Sequence, residues 1–165
     1  MKLGLIADTH MTGTGRRALP AACVEALRRC DLIVHAGDVM TEAALAEIEA
    51  IGPPVRAVLG NVDSPELWKR LPHELVIPLE GGPKLAVVHD AGLREGRLER
   101  LRLRFPEANA VVFGHSHLPL HEERGGFQIF NPGSPTDRRR QPTHTMGLAR
   151  IGEDGAVAFE LIDLG

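Results

Sequence analysis

The stretch KLGLIADTH, from Lys2 to His10, combines the two features on which the interpretation of the whole chain rests. Its apolar first part is typical of a short strand that is buried on both faces of a sheet. Its polar end contains Asp8 and His10, whose side chains can bind a metal ion. A second apolar run, DLIVHAGD at residues 31–38, ends in Asp38 in the same way. We therefore expect several strands that place polar side chains together at one edge of a sheet.

The first third of the chain alternates between strand-like and helix-like segments. ALPAACVEALRRC (residues 18–30) has helical periodicity, and TEAALAEIEAIG (residues 41–52) is typical of a helix with Thr41 as its N-cap. PVRAVLGN (residues 54–61) is a third predicted strand. This β-α-β-α-β order predicts parallel strands joined by crossover helices.

Hairpin signals become frequent in the second half, where pairs of apolar runs flank Gly-Gly or Asp-Gly. These hairpins are predicted at residues 74–90, 118–134 and 146–164, with a basic amphipathic helix at 96–105 and a strand at 109–117 between the first two. We expect one mixed α/β domain over residues 1–165, with a mostly antiparallel second half.

Composition restricts the class of protein. The 165 residues are 43% hydrophobic and 25% charged, as in ordinary soluble proteins, and the net charge of −3 indicates no specific nucleic-acid partner. No apolar run approaches the roughly 20 residues of a membrane helix, and the first residues do not resemble a secretory signal. Cys23 and Cys30 would lie about 10 Å apart along a helix, too far for a disulfide. We expect free thiols, a cytoplasmic location, no membrane association and exposed strand edges that allow a homodimer.

Seven potential metal ligands follow the predicted strands. They are Asp8, His10, Asp38, Asn61, His89, His115 and His117. Open α/β sheets place their sites beyond the carboxyl ends of strands, where these side chains would meet. Two carboxylates, one amide and four imidazoles exceed the needs of one transition-metal ion and suit two ions that share a carboxylate. Without thiolates, the set favours Mn, Fe, Zn, Ni or Mg, and two divalent ions would leave a cationic cluster that attracts phosphate.

The motifs DTH, GD, GNVD, a strand-end histidine and GHSH, in this order, resemble the calcineurin-like metallophosphoesterases. Their spacing and the short chain are most similar to the YfcE-like small phosphodiesterases, as is NPGSPTDRR…PTHTM near the end. The resemblance covers residues 1 to about 147 and implies a four-layer α/β/β/α sandwich with mixed sheets.

The resemblance also implies a dinuclear centre, for which Mn²⁺ is the first choice of metal, and a metal-bridging hydroxide as the nucleophile. The ligands of one ion would be Asp8, His10, Asp38 and His117. The ligands of the other would be Asp38, Asn61, His89 and His115, so that Asp38 bridges the two ions. Asp38, Asn61 and His89 are also counted as catalytic residues. The implied substrate is a small phosphate ester, more readily a diester than a monoester.

The chain departs from the family pattern after Asn61. Many members have a histidine there that assists the leaving group, whereas this chain has Val62 and keeps Asp63, which would orient that histidine. We therefore predict that aryl esters are cleaved far better than alkyl esters. Asp90 replaces a glycine and either accepts a hydrogen bond from an imidazole or serves as a turn residue. His35 is expected beneath the site, buried and hydrogen-bonded rather than bound to metal.

Other polar segments leave alternatives open. Arg138 and Arg139, in the run 138–140, either contact a substrate phosphate or form a solvated surface. The segment 13–18 matches a dinucleotide fingerprint, but its first glycine lies five residues beyond Asp8, too far from the strand end. The role of His144 stays open.

A non-catalytic metal-binding scaffold of the same fold, which recruits protein partners, is the alternative function. The complete ligand set favours an enzyme, whereas Val62 favours the scaffold. A protein phosphatase is a third and weaker alternative, because the histidine is missing and the chain is short.

Overall fold

The computed structural model describes residues 1–15 and 17–165, so that Arg16 of the segment 13–18 lies outside the described residues. The strands are β1 (Lys2–Ile6), β2 (Leu32–His35), β3 (Val55–Ala57), β4 (Glu74–Pro78), β5 (Lys84–Val88), β6 (Ala110–Val112), β7 (Leu120–Arg124), β8 (Phe127–Asn131), β9 (Thr145–Ile151) and β10 (Val157–Asp163). The helices are α1 (Ala21–Arg28), α2 (Glu42–Glu49), α3 (Pro65–Arg70) and α4 (Arg97–Arg104).

Two five-stranded mixed sheets contain these strands, in the orders β10-β9-β1-β2-β3 and β4-β5-β6-β8-β7. In the first sheet, β1, β2 and β3 are parallel, as their alternation with helices predicts. The hairpin β9–β10 joins this sheet antiparallel to β1. In the second sheet β5, β6 and β8 are parallel, and β4 and β7 pair antiparallel at its edges. The second half of the chain is thus divided between the two sheets.

The two sheets pack face to face between two helical layers. Leu5 and Val34 of the first sheet share a buried cluster with Val87 and Phe130 of the second. A separate buried cluster joins the outer face of the first sheet to α1 and α2, and another joins the second sheet to α4. These layers confirm the four-layer α/β/β/α sandwich. Among the described residues, none of the helices has the length and apolar character that a membrane crossing needs.

Local signals explain most helix positions. Thr41 is the N-cap of α2, where its side chain accepts a hydrogen bond from the Ala44 N–H. The short helix α3 was not predicted, because its six residues span fewer than two turns; its signal is Pro65 in the first turn.

Cys23 and Cys30 are buried and free, and Cys30 lies just beyond the end of α1. Burial raises the pKa of Cys23 to about 12, so this thiol stays protonated.

Candidate metal centre

All seven predicted ligands lie in the loops that follow the carboxyl ends of five strands. The first sheet contributes Asp8 and His10 after β1, Asp38 after β2, and Asn61 after β3. The second sheet contributes His89 after β5, and His115 and His117 after β6. Because the two sheets pack face to face, their strand ends meet along one edge of the sandwich, and the structure brings the seven side chains together there.

The first group of ligands lies around Asp8 and His10. His117 Nε2 is 3.8 Å from Asp8 Oδ1, and the rings of His10 and His117 have their centroids 5.0 Å apart. One ligand atom from each of Asp8, His10 and His117 lies within 4.8 Å of the others. His10 Nε2 also lies 3.4 Å from Asp38 Oδ2, which connects this group to the second one.

The second group is centred on Asn61. Its Oδ1 lies 3.0 Å from His89 Nε2 and 3.0 Å from His115 Nδ1. His89 Nε2 is 3.4 Å from Asp38 Oδ2, the same oxygen that faces His10. Asp38 therefore stands between the two groups, as expected for a shared carboxylate.

Backbone carbonyls orient two of the imidazole rings. His89 Nδ1 donates to the Ala36 carbonyl at 2.8 Å, and His117 Nδ1 donates to the Asp137 carbonyl at 2.5 Å. Each Nδ1 therefore carries a proton, and each Nε2 is the ring nitrogen that faces the carboxylates. Outer hydrogen bonds of this kind are the usual means by which proteins orient metal-binding histidines.

Two buried ligand atoms have no hydrogen-bond partner among residues 1–15 and 17–165. They are Asp8 Oδ2 and His10 Nε2. A buried polar atom without a partner is costly, and a divalent cation would compensate both. The donor set of carboxylate, amide and imidazole fits such a cation, as does the position of these atoms among the other ligands.

The carboxylates are electrostatically unequal. Burial raises the pKa of Asp8 to about 7, although His89 lowers it in part. Burial would also raise the pKa of Asp38, but the nearby imidazoles of His10 and His89 and the hydrogen bond from the Val62 backbone N–H hold this pKa far below its usual value. Asp38 is therefore the ionised carboxylate at the middle of the cluster.

The backbone is left-handed at five of the seven ligand positions. The φ angles are 54° at Asp8, 47° at His10, 61° at Asp38, 68° at His115 and 56° at His117. Residues other than glycine rarely adopt this region, and those that do concentrate at functional sites. The strand-end loops thus turn sharply, and each turn directs a ligand side chain at the cluster.

The loops are also connected to one another. Asp63 is buried, and its carboxylate accepts hydrogen bonds from the Met40 and Gly60 backbone N–H groups, both at 2.7 Å. Ser134 Oγ donates to the Asp8 carbonyl at 2.8 Å. Asp63 therefore holds the loop after β3 against the loop after β2, and needs no histidine at position 62 for this role.

His35 and Asp90 occupy different surroundings. His35 is fully buried and its Nε2 lies 3.0 Å from Thr9 Oγ1, so it lies beneath the ligand loops and hydrogen-bonds within them. Burial lowers the pKa of His35 to about 3, which keeps the ring neutral. Asp90 is exposed, and its Oδ1 accepts from the Gly92 N–H at 2.7 Å, which is the geometry of the turn alternative.

Two grooves flank the ligand cluster. The cationic groove has a volume of about 540 Å³ and is lined by His10, Thr12, Arg17, Met40, Asp137 and Arg139. The aromatic groove has a volume of about 360 Å³ and is lined by Leu59, Gly60, Asn61, Trp68, His73, Val88, His89, Asp90 and Arg104. A further groove of about 510 Å³, between the hairpins β7–β8 and β9–β10, contains none of the ligands.

Two of three arginines near the cluster line the cationic groove. Arg139 lines the cationic groove, and its Nε lies 3.3 Å from Asp137 Oδ2. Arg17 Nη1 donates to the same oxygen at 3.1 Å and was not predicted, because its only signal in the sequence is its charge. Arg138 instead donates to the Gln141 carbonyl at 2.5 Å and does not line the groove.

Comparison with known proteins gives the family. The model of the calcineurin-like phosphoesterase superfamily domain matches residues 1–154. The chain belongs to this superfamily. A relative from Methanothermobacter thermautotrophicus, named "Probable metallophosphoesterase", is 32% identical over 155 residues, which cover 93% of this chain and 88% of the relative. The chain is thus similar to a metallophosphoesterase over nearly its whole length.

Solved structures of the superfamily have the same fold. Vps29 from Entamoeba histolytica complexed with zinc superposes with a TM-score of 0.77 at 21% identity, with all of both chains covered. A structure described as a novel archaeal phosphodiesterase gives a TM-score of 0.74 at 18% identity and covers 98% of this chain and 100% of that one. At these sequence identities the likeness shows only that the fold is shared.

Proposed function

We propose that this phosphoesterase hydrolyses phosphodiesters with a dinuclear metal centre. The observation that carries the proposal is the convergence of seven candidate ligands, of which two buried atoms, Asp8 Oδ2 and His10 Nε2, have no hydrogen-bond partner in the part of the chain that the structure describes. One ion would be held by Asp8, His10, Asp38 and His117. The other would be held by Asp38, Asn61, His89 and His115. When bound, divalent ions lower the pKa of water and withdraw charge from phosphoryl oxygens, and Mn²⁺ is the ion proposed here.

The chain's own groups orient this chemistry. The Ala36 and Asp137 carbonyls hold the His89 and His117 rings so that their Nε2 atoms face the cluster. Asp38 Oδ2 faces both His10 and His89, and its Oδ1 accepts from the Val62 N–H at 3.0 Å. These contacts support a bridging role for the carboxylate.

The two grooves support a diester rather than a monoester. A diester carries an organic group on two of its phosphate oxygens, so both groups need space beside the metal centre. The cationic groove opens beside His10, and the aromatic groove opens beside Asn61 and His89. The cluster thus lies between two open spaces, which supports a substrate with two ester groups.

Val62 leads to a prediction about the leaving group. Val62 is 40% exposed and its side chain cannot donate a proton, so we expect the leaving group to depart as an anion. With metal-stripped protein and Mn²⁺ added back, we expect ethyl p-nitrophenyl phosphate to be hydrolysed about 100-fold faster than ethyl phenyl phosphate, since general acid catalysis is typically worth 10²–10⁴-fold.

The test also separates diesters from monoesters. Bis-p-nitrophenyl phosphate should be turned over faster than p-nitrophenyl phosphate, and turnover without added metal should be absent. Val62→His serves as the control for the leaving-group effect, because it restores a proton donor and should narrow the difference between the two ethyl esters. Equal rates for both esters in the unaltered protein would show that another group supplies the proton.

The cationic groove leads to a second prediction. Arg139→Ala should raise KM for bis-p-nitrophenyl phosphate about 5- to 10-fold, because a hydrogen bond to a charged phosphate oxygen is lost. Arg138→Ala is the matched control and should change KM less than about 2-fold, since Arg138 does not line the groove. Steady-state kinetics of both variants would measure these changes in KM. A larger rise in KM for Arg138→Ala than for Arg139→Ala would contradict the assignment of Arg139 to substrate binding.

A scaffold that recruits protein partners is the second candidate function. The exposed apolar side chains of Val62 and Leu118, next in sequence to Asn61 and His117, favour it. The assay distinguishes the two functions, since a scaffold would bind Mn²⁺ at full stoichiometry and hydrolyse none of the esters.

A further inference from the structure

We propose that Trp68 forms a stacking subsite for a planar aromatic group on one arm of the substrate. The substrate class is then a phosphate ester that carries an aromatic ring system, as nucleotides do. This inference rests on the proposed hydrolase function, which places the phosphoryl group on the metal centre.

The position of Trp68 is the first argument. It lines the aromatic groove together with Asn61 and His89, two of the candidate ligands. A group bound against the indole would therefore lie next to a phosphoryl group on the ligand cluster. The residue is 57% exposed even though its ring is largely apolar, so the indole is available to a ligand.

Trp68 is also fixed in orientation. Its Nε1–H donates to the Asp63 carbonyl at 3.0 Å, and the Asp63 carboxylate accepts from the Gly60 N–H in the loop after β3. The indole is thus connected through one residue to the loop that carries Asn61. His73 packs against it edge-on, with ring centroids 6.3 Å apart and planes at 75°. A side chain held in this way loses little conformational entropy when a ligand stacks on it.

The charges of the groove favour an aromatic group over an anionic one. Its arginine, Arg104, forms an ion pair with Glu74 at 2.6 Å, so its charge is already matched. The cationic groove differs, because Arg17 and Arg139 there share the single carboxylate of Asp137. The aromatic groove therefore selects its ligand by contact with the indole face, and aromatic rings prefer offset or edge-to-face contacts of this type.

Fluorescence gives a direct test, because the chain has one tryptophan and no tyrosine. Zn²⁺-loaded protein is titrated with adenosine monophosphate and, as the matched ligand without a ring system, with ribose 5-phosphate. Excitation at the red edge of the indole band avoids absorption by adenine. We expect saturable quenching by adenosine monophosphate, with a Kd about 5- to 20-fold lower than that of ribose 5-phosphate, since stacking on an aromatic side chain contributes an effect of this size.

Two variants separate stacking from a structural role. In calorimetry, Trp68→Ala should lose the preference for adenosine monophosphate, and Trp68→Phe, which keeps a ring but not the Nε1–H, should retain most of it. Ribose 5-phosphate should bind all three proteins equally. Equal binding of adenosine monophosphate to the unaltered protein and to Trp68→Ala would overturn the subsite, as would Trp68→Phe behaving like Trp68→Ala.

The readout is independent of hydrolysis. Quenching by adenosine monophosphate in a protein that cleaves no ester would support stacking on Trp68 and refute the proposed function. Hydrolysis of bis-p-nitrophenyl phosphate without any quenching by adenosine monophosphate would refute the subsite alone.

Discussion

Asp38→Asn is expected to lower kcat/KM for bis-p-nitrophenyl phosphate at least about 1000-fold and to leave the fold intact. Asp38 Oδ2 lies 3.4 Å from both His10 Nε2 and His89 Nε2, so one carboxylate serves both ligand groups. An amide keeps the shape but removes the negative charge that would hold two cations together. Because altered outer partners of metal ligands already cost 10–100-fold, loss of a shared ligand should cost more.

The substitution suits the backbone. Asp38 has a φ of 61°, and asparagine is among the few residues that tolerate this region. The asparagine oxygen can still accept the hydrogen bond from the Val62 N–H. Circular dichroism and the thermal unfolding midpoint should therefore stay close to those of the unaltered protein, and elemental analysis should show fewer bound metal ions per chain.

Asp90→Asn is the matched control for Asp38→Asn. Asp90 carries the same functional group at the edge of the aromatic groove, but it is exposed and accepts a hydrogen bond in its own turn. Asparagine makes the same turn, so activity should change less than about 2-fold. Activity above a tenth of normal in Asp38→Asn, with metal content unchanged, would contradict a bridging role.

Gly60→Ala is expected to abolish metal binding and to destabilise the protein. A Cβ atom on Gly60 would lie 2.0 Å from Asp38 Oδ1 and 2.2 Å from the Asp38 backbone nitrogen. The backbone atom cannot move without displacing the loop after β2, and overpacking of this kind costs about 1–3 kcal/mol. Chemical unfolding and metal titration would measure the two effects.

Gly82→Ala separates this steric effect from backbone strain. Gly82 lies in the turn between β4 and β5 with a φ of 98°, and a Cβ there would meet nothing within 4 Å. Alanine should therefore lower the free energy of unfolding by about 1–2 kcal/mol and leave metal binding unchanged. Normal metal affinity in Gly60→Ala would mean that the loops after β2 and β3 can separate without disturbing the ligands.

The sequence predicts the parallel strands of the first sheet and the edge that carries the ligands, because both depend on repeated local patterns. Apolar runs that end in Asp, Asn or His place these residues at the carboxyl ends of parallel strands, so Asp8, Asp38 and Asn61 could be expected to meet. The order of strands in the second sheet could not be read in this way, because the pairing of β6 with β8 skips a strand. The four-layer fold came from the resemblance to a family rather than from periodicity.

The flanks of the centre could not be predicted, since they depend on contacts between distant segments. Arg17 meets Asp137 across 120 positions of the chain. Trp68 lies on α3, a helix too short to show periodicity, and nothing in the sequence places it in the same groove as His89. Arg138 and Arg139 are neighbours with the same side chain, and only the backbone path decides which one lines the groove.

The left-handed turns at five ligand positions restrict which mutations the protein can accept. Aspartate, asparagine and histidine are the residues other than glycine that enter this backbone region most readily, and they are also metal ligands. Exchanges among these three residues would therefore change the affinity of the candidate centre for a metal ion with little strain in the backbone. A β-branched residue would remove the ligand and strain the turn at once. The amino acids that bind the metal and those that suit the turns are largely the same set, so substitutions that preserve the loops lie among residues that can still bind a cation.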